Sequence, residues 1–222
     1  MKKDLKATKI NEQSELTYSQ FVRTDMLYFV PEEYSRILEI GCHVGSFRQF
    51  FSKPCEYWGV EPFKEAAAIA QTKLDKVLVN FYDKVADRIP DNYFNLIIAN
   101  DVIEHMENPW EFLQSIKKKM TANASIILSV PNVRFFGNLK EVLIDKDWEY
   151  KNEGILDKTH LRFFTQKSLV RMLKGNGFEI EKMEKMNPLS VRKRHLLYYW
   201  LFRFMFGSDI KFVHIGVKAI IK

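Results

Sequence analysis

Two cysteines, Cys42 and Cys55, are all that the 222 residues contain. That is too few for a disulfide framework, and no Cys-x-x-Cys pair offers zinc or redox chemistry. Long apolar runs are also missing: no stretch reaches the roughly 18 to 20 residues that would span a bilayer. The opening run, Met1 to Leu16, is charged and lacks the apolar core of a secretory signal. These absences point to a soluble protein of the reducing cytoplasm. A one-sided charge is absent as well, since 34 basic residues are set against 28 acidic ones for a net +6. Both signs are spread along most of the chain, which reads as a Lys-rich solvated surface, so no nucleic-acid partner is expected.

What remains is a chain long enough to bury its own core, with 46% hydrophobic residues. Compact apolar runs alternate with helical patterns, the sequence form of a parallel sheet covered by helices. Strands are expected at Arg36 to Ile40, Tyr57 to Glu61, Val77 to Asn80, Phe94 to Ala99, Ser125 to Val130, Phe178 to Met186 and Lys211 to Ile221. Asn108, Pro109 and Glu111 form a helix start, Thr165 begins another, and Gly175 and Gly177 end that one. The expectation is an α/β fold of Rossmann-like form: seven mostly parallel strands, helices on both faces and an antiparallel last strand. Residues 1–14 read as a mobile tail and 15–222 as a single domain, with 187–209 inserted between the last two strands.

The most informative stretch is Arg36-Ile-Leu-Glu-Ile-Gly-Cys-His-Val-Gly-Ser-Phe47, a strand running into a Gly-containing turn and then a helix. Gly41 has no Cβ and can adopt positive φ, while Gly45 permits tight helix-strand packing. An acid should follow about 20 residues on to take ribose hydroxyls, and Glu61 stands there. Glu39 supplies a further carboxylate, suited to a ligand ammonium group or to fixing the turn. A dinucleotide would need Gly-x-Gly-x-x-Gly, because its pyrophosphate lies against bare backbone. Here the turn reads Gly41-x-x-x-Gly45 with His43 in the middle position, which suits a ligand without phosphate.

Ile37-Leu-Glu-Ile-Gly-Cys-x-x-Gly45 resembles the first motif of class I S-adenosylmethionine-dependent methyltransferases, and Gly59-Val-Glu-Pro62 resembles their second. Asn100-Asp-Val-Ile-Glu-His-Met-Glu-Asn-Pro-Trp110 is similar to the strand-four segment of the ubiquinone-type O-methyltransferases. Ser129 to Arg134, Asp147 to Tyr150, Gly154 to Thr165 and Gly177-Phe178 resemble a bacterial branch associated with surface-polysaccharide synthesis. The resemblance implies S-adenosylmethionine as cofactor, with Glu39, Gly41 and Gly45 under its methionine part and Glu61 on its ribose. Cys42, His43, Pro62 and Asn100 are carried over as further cofactor-binding positions. After strand three the family's Gly-Asp is replaced by Asn80-Phe-Tyr-Asp83, so either Asp83 meets the adenine or the acid is missing and Phe81 or Tyr82 packs on the ring. The implied acceptor is a small molecule or saccharide, a lipid-linked one included. A nicotinamide-dependent oxidoreductase and a non-catalytic S-adenosylmethionine-binding module are the alternatives.

Methyl transfer from a sulfonium is an in-line displacement, helped for a hydroxyl acceptor by a general base. Three candidates offer themselves: His160, His105 and Asp101. His160 ranks first because its loop is long and irregular, and His105 has a competing role as a loop-bracing residue. Arg162 suits an acceptor anion or an ion pair with Asp157 or Glu153. Asp101, Glu104 and His105 form no recognised ligand set in sequence, so no metal is expected and Glu104 reads as a solvated loop residue. The basic Arg192-Lys-Arg-His195 leads into an aromatic helical run to Phe206, which suits burial, a dimer seam or contact with a membrane surface.

Overall fold

In the computed structural model, residues 22–188 and 196–222 are described. The expected tail at 1–14 and the basic cluster Arg192 to His195 lie outside them. Among the described residues the strands form one sheet of seven, in the order β3-β2-β1-β4-β5-β7-β6. They are β1 (Arg36–Ile40), β2 (Glu56–Glu61), β3 (Lys76–Val79), β4 (Phe94–Asn100), β5 (Met120–Pro131), β6 (Phe178–Pro188) and β7 (Phe212–Ile221). β1 to β5 pair in parallel, and β7 runs antiparallel between β5 and β6. The central strands are near-continuous apolar runs because both of their faces are covered.

The helices are α1 (Lys64–Ala70), α2 (Pro109–Lys119), α3 (Phe136–Lys140), α4 (Gln166–Gly175) and α5 (Leu196–Phe206). Asn108 caps α2 by accepting from the Glu111 N–H at 3.2 Å, with Pro109 at the first helical position. Thr165 caps α4 through a reciprocal pair with Ser168: each side chain accepts from the other's backbone N–H, at 3.1 and 2.9 Å. Packing against the sheet divides into a large cluster with Leu38, Ile97, Ile126 and Leu173 and a smaller one with Met26, Phe29, Tyr57 and Ile98.

Two local expectations are revised. The glycine turn after β1 leads into a 3-10 segment, Ser46–Phe50, rather than a full helix. Phe47 and Phe51 are drawn together edge to face, and Phe51 continues onto Tyr57, so the chain tightens around an aromatic cluster. β5 begins at Met120, five residues earlier than Ser125, because Met120 pairs with Phe94 directly at the end of α2.

Candidate functional site

β1 is the switch point of the sheet: β2 lies on one side of it and β4 on the other. Ligand crevices of open α/β sheets form at the carboxyl ends of strands at such a point. The glycine turn lies there. Gly41 and Gly45 both hold φ +69, and a Cβ at Gly41 would meet the Val102 side chain at 2.7 Å. At Gly45 the same atom would come within 3.3 Å of Ala70 and Leu74, so that glycine lets the turn pack against α1 and the residues after it.

His43 holds φ 47, in the left-handed region where an L side chain is strained. The turn is held by Glu61, whose buried carboxylate accepts from the His43 N–H at 2.8 Å and the Phe63 N–H at 3.0 Å. Burial raises the Glu61 pKa, partly offset by those two bonds. Beside it Glu39 is fully enclosed and accepts from the Tyr57 hydroxyl at 2.8 Å. Burial pushes the Glu39 carboxyl up to about 8; the Tyr57 bond opposes the shift and the Glu61 charge adds to it. A cationic group next to Glu39 would favour its ionised form.

Across the crevice, at the end of β4, Asn100 has a buried Oδ1 with no hydrogen-bond partner. An orphaned acceptor at a ligand crevice fits a donor brought by a bound molecule. After β3, Phe81 is 61% exposed. Two acids, a bare glycine turn, an orphaned acceptor and an exposed aromatic ring make a set of acceptors and a stacking surface suited to a nucleoside carrying an amino acid.

Beyond β4 the 3-10 segment Ile103–His105 meets the loop before α4. The Glu104 carbonyl accepts from the Leu161 and Arg162 N–H groups at 2.8 and 2.9 Å, and this stitching brings His160 to His105. Their rings stand edge to face with centroids 4.7 Å apart. His160 is only 9% exposed, and its Nδ1 lies 2.9 Å from the Ile155 carbonyl, which makes Nδ1 the donor and leaves Nε2 the basic nitrogen of the neutral ring. His105 is the exposed member, with Nδ1 3.2 Å from the Thr159 carbonyl and 3.1 Å from its hydroxyl. Desolvation by the protein atoms packed around one side of the ring, followed by the neighbouring His160, lowers the His105 pKa. A neutral imidazole at that position is able to take a proton.

Residues 13–183 match the model of a methyltransferase-domain family. The chain belongs to that family. Among curated proteins, this methyltransferase is 28% identical over 162 residues to an uncharacterized protein of Methanocaldococcus jannaschii, covering 68% of its own length and 73% of that protein's. It is 23% identical over 181 residues to the mitochondrial ubiquinone biosynthesis O-methyltransferase of Dictyostelium discoideum, covering 72% of its own length but only 56% of that enzyme's. Among solved structures, an S-adenosylmethionine-dependent methyltransferase of Archaeoglobus fulgidus superposes with a TM-score of 0.64 at 20% identity, over 94% of this chain and 93% of that one. As a member of that family it is a methyltransferase with S-adenosylmethionine as cofactor, which sets aside the oxidoreductase. When bound, that cofactor would supply an activated methyl group, and Glu39, the glycine turn, Glu61 and Asn100 are the residues that could hold it.

Several expected site residues of the methyltransferase have their side chains engaged elsewhere. Cys42 is buried, and a Cβ on Gly59 would strike its sulfur at 2.5 Å, so its side chain fills the gap over β2; burial pushes its thiol far up. The Cys42 N–H donates to the Val60 carbonyl at 3.2 Å, and its thiol lies 3.8 Å from the His43 carbonyl in the turn. Tyr82 is a core residue: its ring meets Phe112 edge to face at 5.1 Å and its hydroxyl pairs with Ser115 at 2.9 Å. Asp83 is exposed and pairs with Lys84 at 2.7 Å. Phe81 is therefore the aromatic candidate for a planar base. Pro62 is half-buried directly after Glu61.

Asp101, offered as a base, is ion-paired with Arg23, which also binds Asp25 at 2.9 Å and Ser129 at 3.1 Å. That ion pair occupies the Asp101 carboxylate with a guanidinium. Arg23 escaped the sequence reading because it meets Asp101 across 78 residues of chain, a separation no local pattern carries. Glu104 is not a solvated loop residue: it is 1% exposed, both of its carboxyl oxygens lack partners, and burial followed by the nearby Asp101 charge pushes its pKa far up. One ligand atom each from Glu104, His105 and His160 lies within 4.8 Å of the others, a grouping that could hold a divalent ion. Arg162 donates to the Glu107 and Leu161 carbonyls rather than to Asp157 or Glu153.

Proposed function

We propose that this methyltransferase places its methyl group on a hydroxyl oxygen of a small acceptor, a saccharide or lipid-linked saccharide, with His105 taking the hydroxyl proton. The observation that carries the reading is the His105–His160 pair beside the end of β4. His160, ranked first from sequence, is the enclosed ring, whereas His105 is exposed and its pKa is lowered; His160 then orients His105 and the loop. A hollow of about 420 Å³ adjoins this loop, lined by Trp110, Arg162, Phe163 and Arg171. Exposed indole and guanidinium groups suit the apolar faces and hydroxyls of a sugar.

The test uses methyl-labelled cofactor with a panel of free sugars, nucleotide sugars and phenols. Label is expected in an alkali-stable ether, and His105→Ala should lower turnover about a hundredfold with little change in cofactor affinity. Label recovered on nitrogen, or unchanged turnover in His105→Ala, refutes the reading. A second reading rests on the partnerless Glu104 carboxyl, in which Glu104, His105 and His160 seat a divalent cation that holds the acceptor oxygen. Titrating magnesium or zinc into the wild type and Glu104→Gln separates the two: saturable binding lost in the variant supports the cation.

A further inference from the structure

We propose that the outer face of α5 docks on an anionic membrane surface. This inference does not depend on which acceptor the enzyme methylates. The inner side of the helix is occupied: Tyr199 and Phe202 meet Phe136 edge to face at 5.5 Å, and Ile210 closes the same small cluster. Arg134 fixes the helix end, donating to the Phe206 carbonyl at 2.5 Å and to Asp209 at 2.6 Å. The orientation of α5 is therefore set, and it presents a chosen side outward.

That outward side contains no polar residue across about half of the helix circumference. Leu197, Trp200, Leu201, Phe204 and Met205 all lie on it, with Leu197 80% and Phe204 90% exposed. At 100° per residue these five fall within one arc centred opposite Tyr199 and Phe202. A contiguous face of this kind marks an interaction site rather than scattered surface apolarity. Among the described residues no helix is long and apolar enough to cross a membrane, so the contact is lateral.

Charge selects the occupant. From Lys185 to Ser208 the sequence has no Asp or Glu, while Lys185, Arg192, Lys193, Arg194 and Arg203 are cationic. Cations flanking an apolar aromatic face are attracted to anionic headgroups while the rings settle at the interface. A second copy of the chain docked on the same face would bring two such cationic stretches together without a compensating acid, which opposes a symmetric dimer.

The test is sedimentation of the full chain with vesicles of phosphatidylcholine alone or mixed with phosphatidylglycerol. Binding is expected to the anionic vesicles, to weaken as salt rises, and to fall at least about tenfold in Leu197→Ser/Phe204→Ser. Both side chains are exposed, so that variant should keep the wild-type melting temperature and cofactor affinity, which separates failure here from failure of the methyl-transfer reading. Trp200→Phe supplies a second measurement: brominated lipid should quench the wild-type fluorescence more than that of the variant. Absence of binding to anionic vesicles, or equal binding by the double variant, overturns the proposal. So does a concentration-dependent dimer that the double variant dissociates, because the face would then belong to a second copy.

Discussion

Replacement of Glu61 by alanine should damage two properties at once. The side chain is 3% exposed and its two oxygens take the backbone N–H groups of His43 and Phe63 at 2.8 and 3.0 Å. Each hydrogen bond to a carboxylate contributes about 1.5 to 3 kcal/mol, and burying the acid itself opposes folding, so the net loss of stability should be about 2 to 4 kcal/mol. One of those bonds holds His43 at φ 47, a conformation costing an L residue about 1 to 2 kcal/mol, so the turn should relax once the acceptor is gone. A relaxed turn and a lost ribose partner together should weaken S-adenosylhomocysteine binding by about 1.5 to 3 kcal/mol, at least tenfold. Glu61→Gln keeps one acceptor oxygen but opposes an amide group to the other N–H, and should fall between wild type and alanine. Urea denaturation and calorimetric titration, run where the variants remain folded, give both numbers. A stability within about 0.5 kcal/mol of wild type would refute the clamp, and unchanged affinity would move the cofactor away from Glu61.

Glu39 gives a pH dependence. Its folded pKa, about 8, lies above the ordinary 4.5, so the folded chain holds a proton that the unfolded chain has released. The sign follows: its contribution is fully present below about pH 4.5 and is lost as pH rises through 8. Glu39→Gln should flatten that part of the stability profile measured by denaturation at pH 5, 7 and 9, and an unaltered profile would count against the burial argument. His43→Gly removes a side chain from a left-handed position and should leave cofactor affinity equal or improved, as read by the same calorimetry; a large loss would make the imidazole a ligand contact. Asp101→Asn leaves the Arg23 guanidinium with Asp25 as its remaining acid partner and should cost about 1 to 3 kcal/mol of stability. Its turnover should fall less than that of His105→Ala, and the opposite ranking in steady-state kinetics would restore Asp101 as the base.

Local chemistry in the sequence was enough to define the sheet. Parallel strands buried on both faces must be compact apolar runs, so Arg36–Ile40 and its successors were legible, and caps such as Asn108 and Thr165 announce helices because their partners lie three residues away. The glycine turn and Glu61 were legible for the same reason, since a glycine turn after β1 and an acid closing β2 lie a fixed, short distance apart in the chain. What tertiary structure decided are the contacts between segments far apart in the chain. Tyr82 and Asp83 are neighbours in sequence, yet one fills the core against Phe112 and the other faces solvent, a choice made by where α2 packs. Glu104 looked like a loop acid until the Leu161 and Arg162 N–H groups closed over its carbonyl and buried its side chain. The same closure carried His160 across 55 residues to the ring of His105 and enclosed it, leaving His105 the exposed ring of the pair. Periodicity and spacing report forces that act within a few residues; two histidine rings and a buried acid are brought together by packing between elements, which the linear order leaves open.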